Sequence, residues 1–248
     1  MEISNKNIII TGGANGIGLE TAKALRLQQA NVIILDIDEQ SLEKLKNENS
    51  EFSCYKCDIT DPEDISKTLK KIIQAHNQID VLINNAGAVK DSPLIKIFGQ
   101  IEKHDIDLFE RIIKINLFSV FLMTREIAAH MFEKRIKGVI VNVSSVASHG
   151  NPGQSAYSAA KAGINALTYT WANELNYLGI RVAAIAPGFT ETNIVKSNMN
   201  EKLQADIKKK TPLKRMAEPS EIADGILFII KNDFFHGKIL PLDGGLVI

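Results

Sequence analysis

Short apolar runs alternate with stretches of helical period along nearly the whole chain. Residues 7–11, 31–37, 52–57, 79–84, 139–143 and 180–186 are continuously apolar and rich in β-branched side chains. Such runs predict strands covered by helices on both faces. A last short strand is predicted at 238–242. Helical periodicity covers 16–29, 39–47, 62–75, 108–134, 156–178 and 219–230, with Asp61-Pro62 and Glu218-Pro219 as start signals. Strict alternation predicts an α/β fold, a doubly wound parallel sheet of seven strands with three helices on each face. No linker, repeat or biased segment divides the chain, so a single domain over 1–248 is expected. The rhythm breaks at 188–213, a polar, Lys-rich stretch after the sixth strand. Ligands bind beyond the C-terminal strand ends of such sheets, so this stretch is a candidate substrate lid. A plain surface excursion has nearly equal standing.

Composition narrows the function classes. Lys+Arg 29 balances Asp+Glu 29, which gives no general attraction to nucleic acid or anionic membrane. The first seven residues are polar, and no apolar run approaches the ~20 residues that cross a bilayer. A cytoplasmic protein is expected. Cys54 and Cys57 have a CxxC spacing, but in a strand they point to opposite faces, and no second ligand pair completes a metal site. No metal is expected.

The first strand runs into Thr11-Gly12-Gly13-Ala14-Asn15-Gly16-Ile17-Gly18 and then a helix. Glycines allow a tight turn and close approach of backbone to a pyrophosphate, which the helix N-terminus attracts. The second strand ends at Asp36, about 20 residues further on, where an acid accepts bonds from the adenosine ribose and repels a 2′-phosphate. Neither Asn15 nor Ile37 supplies a cation for that phosphate. NAD(H) is therefore expected over NADP(H). The competing role for Asp36 is a cap on the next helix.

Tyr157 and Lys161 are one helical turn apart and share a face. A phenol with a pKa of ~10 serves as acid and base near neutral pH only if its pKa falls, and a nearby cation lowers it. The strand before this helix ends Val141-Asn142-Val143-Ser144-Ser145, which offers two hydroxyls for a developing oxyanion. Asn116 interrupts an apolar helix face formed by Ile112, Ile113, Ile115 and Leu117; a satisfied core asparagine is the plain reading. His149 and Gln154 lie on the loop before Tyr157, where a surface role competes with substrate contact.

These motifs resemble the short-chain dehydrogenase/reductase family, which has a Rossmann-type fold. The glycine spacing, Asn84-Asn85-Ala86-Gly87, Asn116, Tyr157-x-x-x-Lys161, Pro187-Gly188 and Asp243-Gly244-Gly245 follow in family order over nearly the whole chain. The resemblance implies hydride transfer between a secondary alcohol and a ketone, with a Ser–Tyr–Lys centre. It implies that Gly12, Asn15, Gly16, Ile17, Gly18, Asp36 and Ile37 bind the cofactor, with Asp58 and Ile59 at the adenine. Asn85, Ala86 and Gly87 would line the adenosine ribose, and backbone from Pro187 through Gly188 to Thr190, with Thr192, the nicotinamide. Tyr157 and Lys161 would grip the nicotinamide ribose, and Asn116 would bend its helix so that a carbonyl holds a water near Lys161. Ser145 is the family's second serine, whereas Ser144 fits the usual interval to the tyrosine; Ser145 is preferred.

The branch resembled is that of 3-oxoacyl-(acyl-carrier-protein) reductases and hydroxyacyl-CoA dehydrogenases, with 187–192 favouring the reductases. Sugar, polyol and hydroxysteroid dehydrogenases are alternatives. A non-catalytic dinucleotide sensor and a nucleotide-sugar epimerase are rivals of other classes. The family implies a homotetramer built through the helices of 108–134 and 156–178.

Overall fold

The computed structural model describes residues 1–48, 51–97, 99, 101–192, 195 and 200–246. The central sheet contains β1 (Asn7–Thr11), β2 (Asn31–Asp36), β3 (Ser53–Lys56), β4 (Val81–Asn84), β7 (Val139–Val143), β8 (Arg181–Pro187) and β9 (Ile239–Leu242). Their order is β3-β2-β1-β4-β7-β8-β9, and every pairing is parallel. The chain reverses its direction of travel across the sheet between β1 and β4, which opens a crevice at their C-terminal ends.

Two apolar layers hold the helices. On one face α1 (Gly16–Leu27), α2 (Glu39–Glu48) and α8 (Pro219–Lys231) cover Ile8, Ile10, Ile34 and Ile83. On the other, α3 (Pro62–His76), α5 (Ser119–Glu133) and α6 (Ser155–Leu175) cover Ile9, Ile33, Leu82 and Ile140. Alternate residues of each strand thus serve opposite layers, and each fully buried isoleucine contributes about 2 kcal/mol. Cys54 joins the first layer and Cys57 the second, both as free thiols. Burial pushes the Cys57 thiol up to about 11, which suits an inert core residue.

Three features depart from the sequence expectation. The helix expected over 108–134 starts earlier, as α4 (Ile106–Ile113), capped by Asp105. It widens into a π-turn at Lys114–Phe118 before α5. Asn116 Nδ2 and Ser119 Oγ donate back to the carbonyls of Ile112 and Ile115, at 2.9 and 2.6 Å, which supports the distortion. A hairpin, β5 (Ile95–Lys96) with β6 (Glu102–Lys103), stands outside the main sheet. The expected lid contains α7 (Glu201–Lys210), capped by Asn200; residues 193, 194 and 196–199 lie outside the described residues. Among the described residues no helix is long and apolar enough to cross a membrane.

Candidate active site

The glycine loop is held open by its neighbours. Gly12 has φ +62°, and a Cβ there would sit 2.8 Å from Ala86 Cα, so only glycine fits both the turn and the contact. Thr11 Oγ1 accepts from the backbone N–H groups of Asn85 and Ala86, each at 3.1 Å. Asn85 Nδ2 donates to the carbonyls of Thr11 and Gly12, at 3.0 and 2.9 Å. The β4 end therefore braces the turn. Asn15 precedes α1 but does not cap it; its amide donates instead to Ser41 Oγ at 3.1 Å. The first-turn amides at Gly16, Ile17 and Gly18 are left facing outward, an anion cradle at a helix N-terminus. Thr192 lies against this turn, with its methyl 3.4 Å from where a Cβ on Gly16 would stand.

Asp36 is not the cap of α2. Asp38 has that role, accepting from the N–H groups of Gln40 and Ser41 at 3.1 and 3.2 Å. The Asp36 carboxylate accepts from Ala14 N–H and Asp38 N–H, both at 3.1 Å, with each oxygen retaining a second lone pair. Its register partner Lys56 is committed to Glu39 at 2.7 Å. Ile37 beside it is exposed. Asp58 accepts from the N–H and the hydroxyl of Thr60, both at 2.8 Å, leaving it and Ile59 half-buried at the next strand end.

At the centre of the crevice, α6 brings Tyr157 and Lys161 to the end of β7. Lys161 is 4% exposed; its Nζ donates to the Val143 carbonyl at 2.7 Å and lies 5.5 Å from the Tyr157 ring centroid. Burial lowers the Lys161 pKa to about 8. Burial also pushes the half-buried Tyr157 phenol above its ordinary value, and its hydrogen bond with Ser145 draws it back in part.

The two serines have different neighbours. Ser144 is buried and donates to Asn165 Oδ1 at 2.6 Å and to the Lys161 carbonyl at 3.3 Å. Ser145 opens a tight turn, Val146–His149, accepts from Ala147 N–H at 3.1 Å, and faces Tyr157. Asn116 is fully buried. Its Nδ2 donates to the Ala88 carbonyl at 2.8 Å, while its Oδ1 accepts from Ala88 N–H at 3.2 Å. A Cβ on Gly87 would lie 2.7 Å from Asn116 Oδ1 and 3.7 Å from Lys161 Nζ, so Gly87 is the point where β4, the π-turn and the lysine meet.

Other expected residues are distributed less simply. Pro187 is buried in β8, and Gly188 N–H donates to the Leu242 carbonyl at 2.8 Å. Thr190 is turned inward, its hydroxyl donating to the Gly188 carbonyl at 3.2 Å, so its side chain is not presented to the crevice. His149 is exposed. Gln154 is 7% exposed rather than on the surface, and its Nε2 donates to Asp91 Oδ1 at 2.8 Å. Asp91 and Asn165 were invisible to sequence reading, since only the fold brings them to their partners. Among the described residues no cluster of His, Cys, Asp or Glu is arranged to hold a metal.

A pyrophosphate cradle at the switch point of a parallel sheet, with a Tyr–Lys helix beside it, defines a dinucleotide-dependent oxidoreductase. The family model for short chain dehydrogenases matches residues 6–203. The chain belongs to the short-chain dehydrogenase/reductase family. It is 38% identical to a 3-oxoacyl-[acyl-carrier-protein] reductase of Thermotoga maritima, covering 100% of both chains. It is 33% identical to the 3-hydroxyacyl-CoA dehydrogenase type-2 of Bos taurus, over 96% of this chain and 94% of the relative. The crystal structure of gox2181 superposes with a TM-score of 0.88 at 28% identity, over 98% of this chain and 95% of that one. The similarity places the chain in the branch of the 3-oxoacyl carrier-protein reductases.

Proposed function

We propose that the chain interconverts a secondary alcohol and a ketone with NAD(H), using Tyr157 as general acid and base. The observation that carries this reading is the buried Lys161, its Nζ 5.5 Å from the centroid of the Tyr157 ring one helical turn away, beside an uncapped helix N-terminus. The glycine loop, Asp36, Ile37, Asp58, Ile59 and Asn85 to Gly87 would hold the dinucleotide. Pro187, Gly188, the Thr190 backbone and Thr192 would meet the nicotinamide, with Tyr157 and Lys161 at its ribose. When bound, the nicotinamide supplies the hydride for reduction or accepts it in oxidation.

In reduction, the Tyr157 hydroxyl gives its proton to the carbonyl oxygen while Ser145 donates a second hydrogen bond to the same atom. A phenol kept protonated by burial suits that direction. In oxidation the tyrosine must lose its proton, and the Lys161 cation favours that form. Asn116 holds the π-turn and the Gly87–Ala88 segment beside Lys161, where a backbone-held water would connect the lysine to solvent. Preference for NAD(H) rests on Asp36, whose free lone pairs suit ribose hydroxyls and whose charge repels a 2′-phosphate.

A 3-oxoacyl or 3-hydroxyacyl thioester is the leading substrate class, supported by the names of the carrier-protein reductase and CoA dehydrogenase relatives. Sugars, polyols and hydroxysteroids are the alternatives. A homotetramer is supported by exposed aromatics on the two long helical segments: Phe109, Phe118, Phe121 and Tyr169. Phe118 and Phe121 stack with centroids 6.2 Å apart. Light scattering at micromolar concentration tests this, and a monomer rejects it.

The enzymatic reading is tested by following reduced-cofactor absorbance with acetoacetyl-CoA, comparing NADH with NADPH and using Tyr157→Phe as the blank. NADH-dependent turnover, lost in the variant, is expected. Binding of NADH without turnover of any carbonyl substrate supports a dinucleotide sensor instead.

A further inference from the structure

Helix α6, which carries Tyr157 and Lys161, starts without a local signal. Gln154 stands at its N-cap with φ −116° and ψ 38°, its side chain makes no cap, and the first turn holds no acid. Glutamine is not among the residues that favour this position. The Gln154 carbonyl nevertheless accepts from Ser158 N–H at 2.7 Å, so the helix begins there, three residues before Tyr157.

The start is fixed from outside the helix, by the segment that leaves β4. Asp91 Oδ1 accepts from Gln154 Nε2 at 2.8 Å, and Ser92 N–H donates to the Gly153 carbonyl at 2.7 Å. Ser92 and Gln154 also form an isolated parallel bridge. Asp91 is exposed and Gln154 is buried, so without Asp91 the amide would lose its partner in a largely dry place. A Cβ on Gly153 would lie 3.9 Å from Asp91 Cβ. The carboxylate is thus close to the N-terminal end of α6, where the helix dipole favours an anion.

The other end of the same segment is fastened at the catalytic centre. The Ala88 N–H and carbonyl are both bonded to the Asn116 side chain, at 3.2 and 2.8 Å. Ala88 and Tyr157 pack against one buried cluster of Leu108, Ile112 and Ala156. Residues 88–92 therefore form a short strap, held at one end by the π-turn and at the other by the start of the helix that carries Tyr157.

We infer that Asp91 and Gln154 are positioning residues, whose hydrogen bond holds the first turn of α6 and thereby the Tyr157 hydroxyl at its place in the crevice. The role rests on the proposed use of Tyr157 as acid and base. Gln154 acts through the helix and not on the substrate, since its amide donor is directed to Asp91. A displacement of the reacting hydroxyl by ~1 Å costs up to about a hundredfold in rate.

The test exchanges donor and acceptor in the full chain, with NADH-dependent reduction of acetoacetyl-CoA as the readout. Gln154→Glu sets two carboxylates against each other. It should lower kcat at pH 7 by about ten- to a hundredfold, with KM for thioester and NADH within about twofold of wild type. Adding Asp91→Asn puts a donor opposite an acceptor again and should return kcat to within about threefold of wild type. Asp91→Ala, at an exposed residue where folding is not at stake, should lower kcat by about tenfold. Wild-type kcat in both Gln154→Glu and Asp91→Ala overturns the proposal and leaves the catalytic reading standing. A loss in kcat or in thioester KM that the swapped pair fails to recover also overturns it, because the amide then serves the substrate or the loop rather than Asp91. Absence of turnover of any carbonyl substrate by wild type rejects the catalytic reading itself, and the positioning role with it.

Discussion

Ser144 Oγ donates to Asn165 Oδ1 at 2.6 Å, inside the contact between β7 and α6. That bond uses the single Ser144 hydroxyl proton in a buried setting, with the Lys161 carbonyl further off at 3.3 Å. Its neighbour Ser145 is left facing Tyr157. The two serines are adjacent in sequence just beyond β7, yet they meet different neighbours.

The consequence is a split between activity and stability. Ser145→Ala is expected to lower kcat by about 10²–10³, the usual effect of losing one oxyanion donor. Ser144→Ala should keep kcat within a few-fold and lose about 1 kcal/mol of stability, because Asn165 is left short of a partner. Steady-state kinetics and urea denaturation on the same two variants separate the roles. Full turnover in Ser145→Ala with loss in Ser144→Ala would reverse the assignment.

The proposed preference for NAD(H) rests on a residue with two duties. Asp36 accepts from Ala14 and Asp38 backbone groups and keeps lone pairs for a ribose. Replacing it by Ala should weaken NADH use by about ten- to a hundredfold, as for a hydrogen bond to a charged group. Adding Ile37→Arg supplies a cation at an exposed position and should turn the preference to NADPH. The measurement is the NADH/NADPH ratio of kcat/KM for the single and double variants. An unchanged ratio in both would remove Asp36 from the argument.

The sheet and its two helical layers were legible because Ile8, Ile33, Ile83 and their neighbours repeat a pattern that only burial on both faces explains. Tyr157, Lys161 and the glycine loop were legible because spacing along one element sets their geometry. What escaped depends on contacts distant in sequence or on weak local signals. In α7, Leu203 is exposed and Ile207 alone is buried, so no apolar stripe announces a helix. The β5–β6 arm has no covered face and therefore no periodic signature. Asn116 was visible as a break in an apolar face, but the π-turn depends on its bonds to Ile112 and Ala88. Gln154 looked like a loop residue because Asp91 is remote in sequence.

Gly87 offers a test of the junction beneath the catalytic centre. A methyl there meets Asn116 Oδ1, which is fixed by Ala88 on both of its polar atoms and cannot retreat. Gly87→Ala should cost about 1–3 kcal/mol by overpacking and reduce kcat, because Lys161 shares the space. Asn116→Ala in the same chain should relieve part of the clash, so the double variant is expected to be more stable than the two single effects predict. Strict additivity in urea denaturation would mean that the residues do not meet.

The buried lysine makes a prediction about pH that requires no substrate. Lys161 titrates at about 8 in the folded chain, against an ordinary lysine value of 10.5. Between these values the unfolded chain binds more protons than the folded one, so this group makes stability rise as pH rises. Below the window it opposes folding by about 3 kcal/mol, the equivalent of the shift; above it the opposition is gone. Tyr157 acts in the other sense, its raised value making stability fall with pH, but only above the ordinary phenol range. Lys161→Met leaves the Val143 carbonyl without its donor, a loss of about 1 kcal/mol that does not vary with pH. Urea denaturation at pH 7 and 9.5 should therefore show the difference, wild type minus variant, moving by about 2 kcal/mol in favour of wild type, since the unfolded lysine is still mostly protonated at pH 9.5. A difference that stays flat across this window would mean that Lys161 keeps an ordinary pKa when folded, and that its contact with Val143 fully offsets its burial.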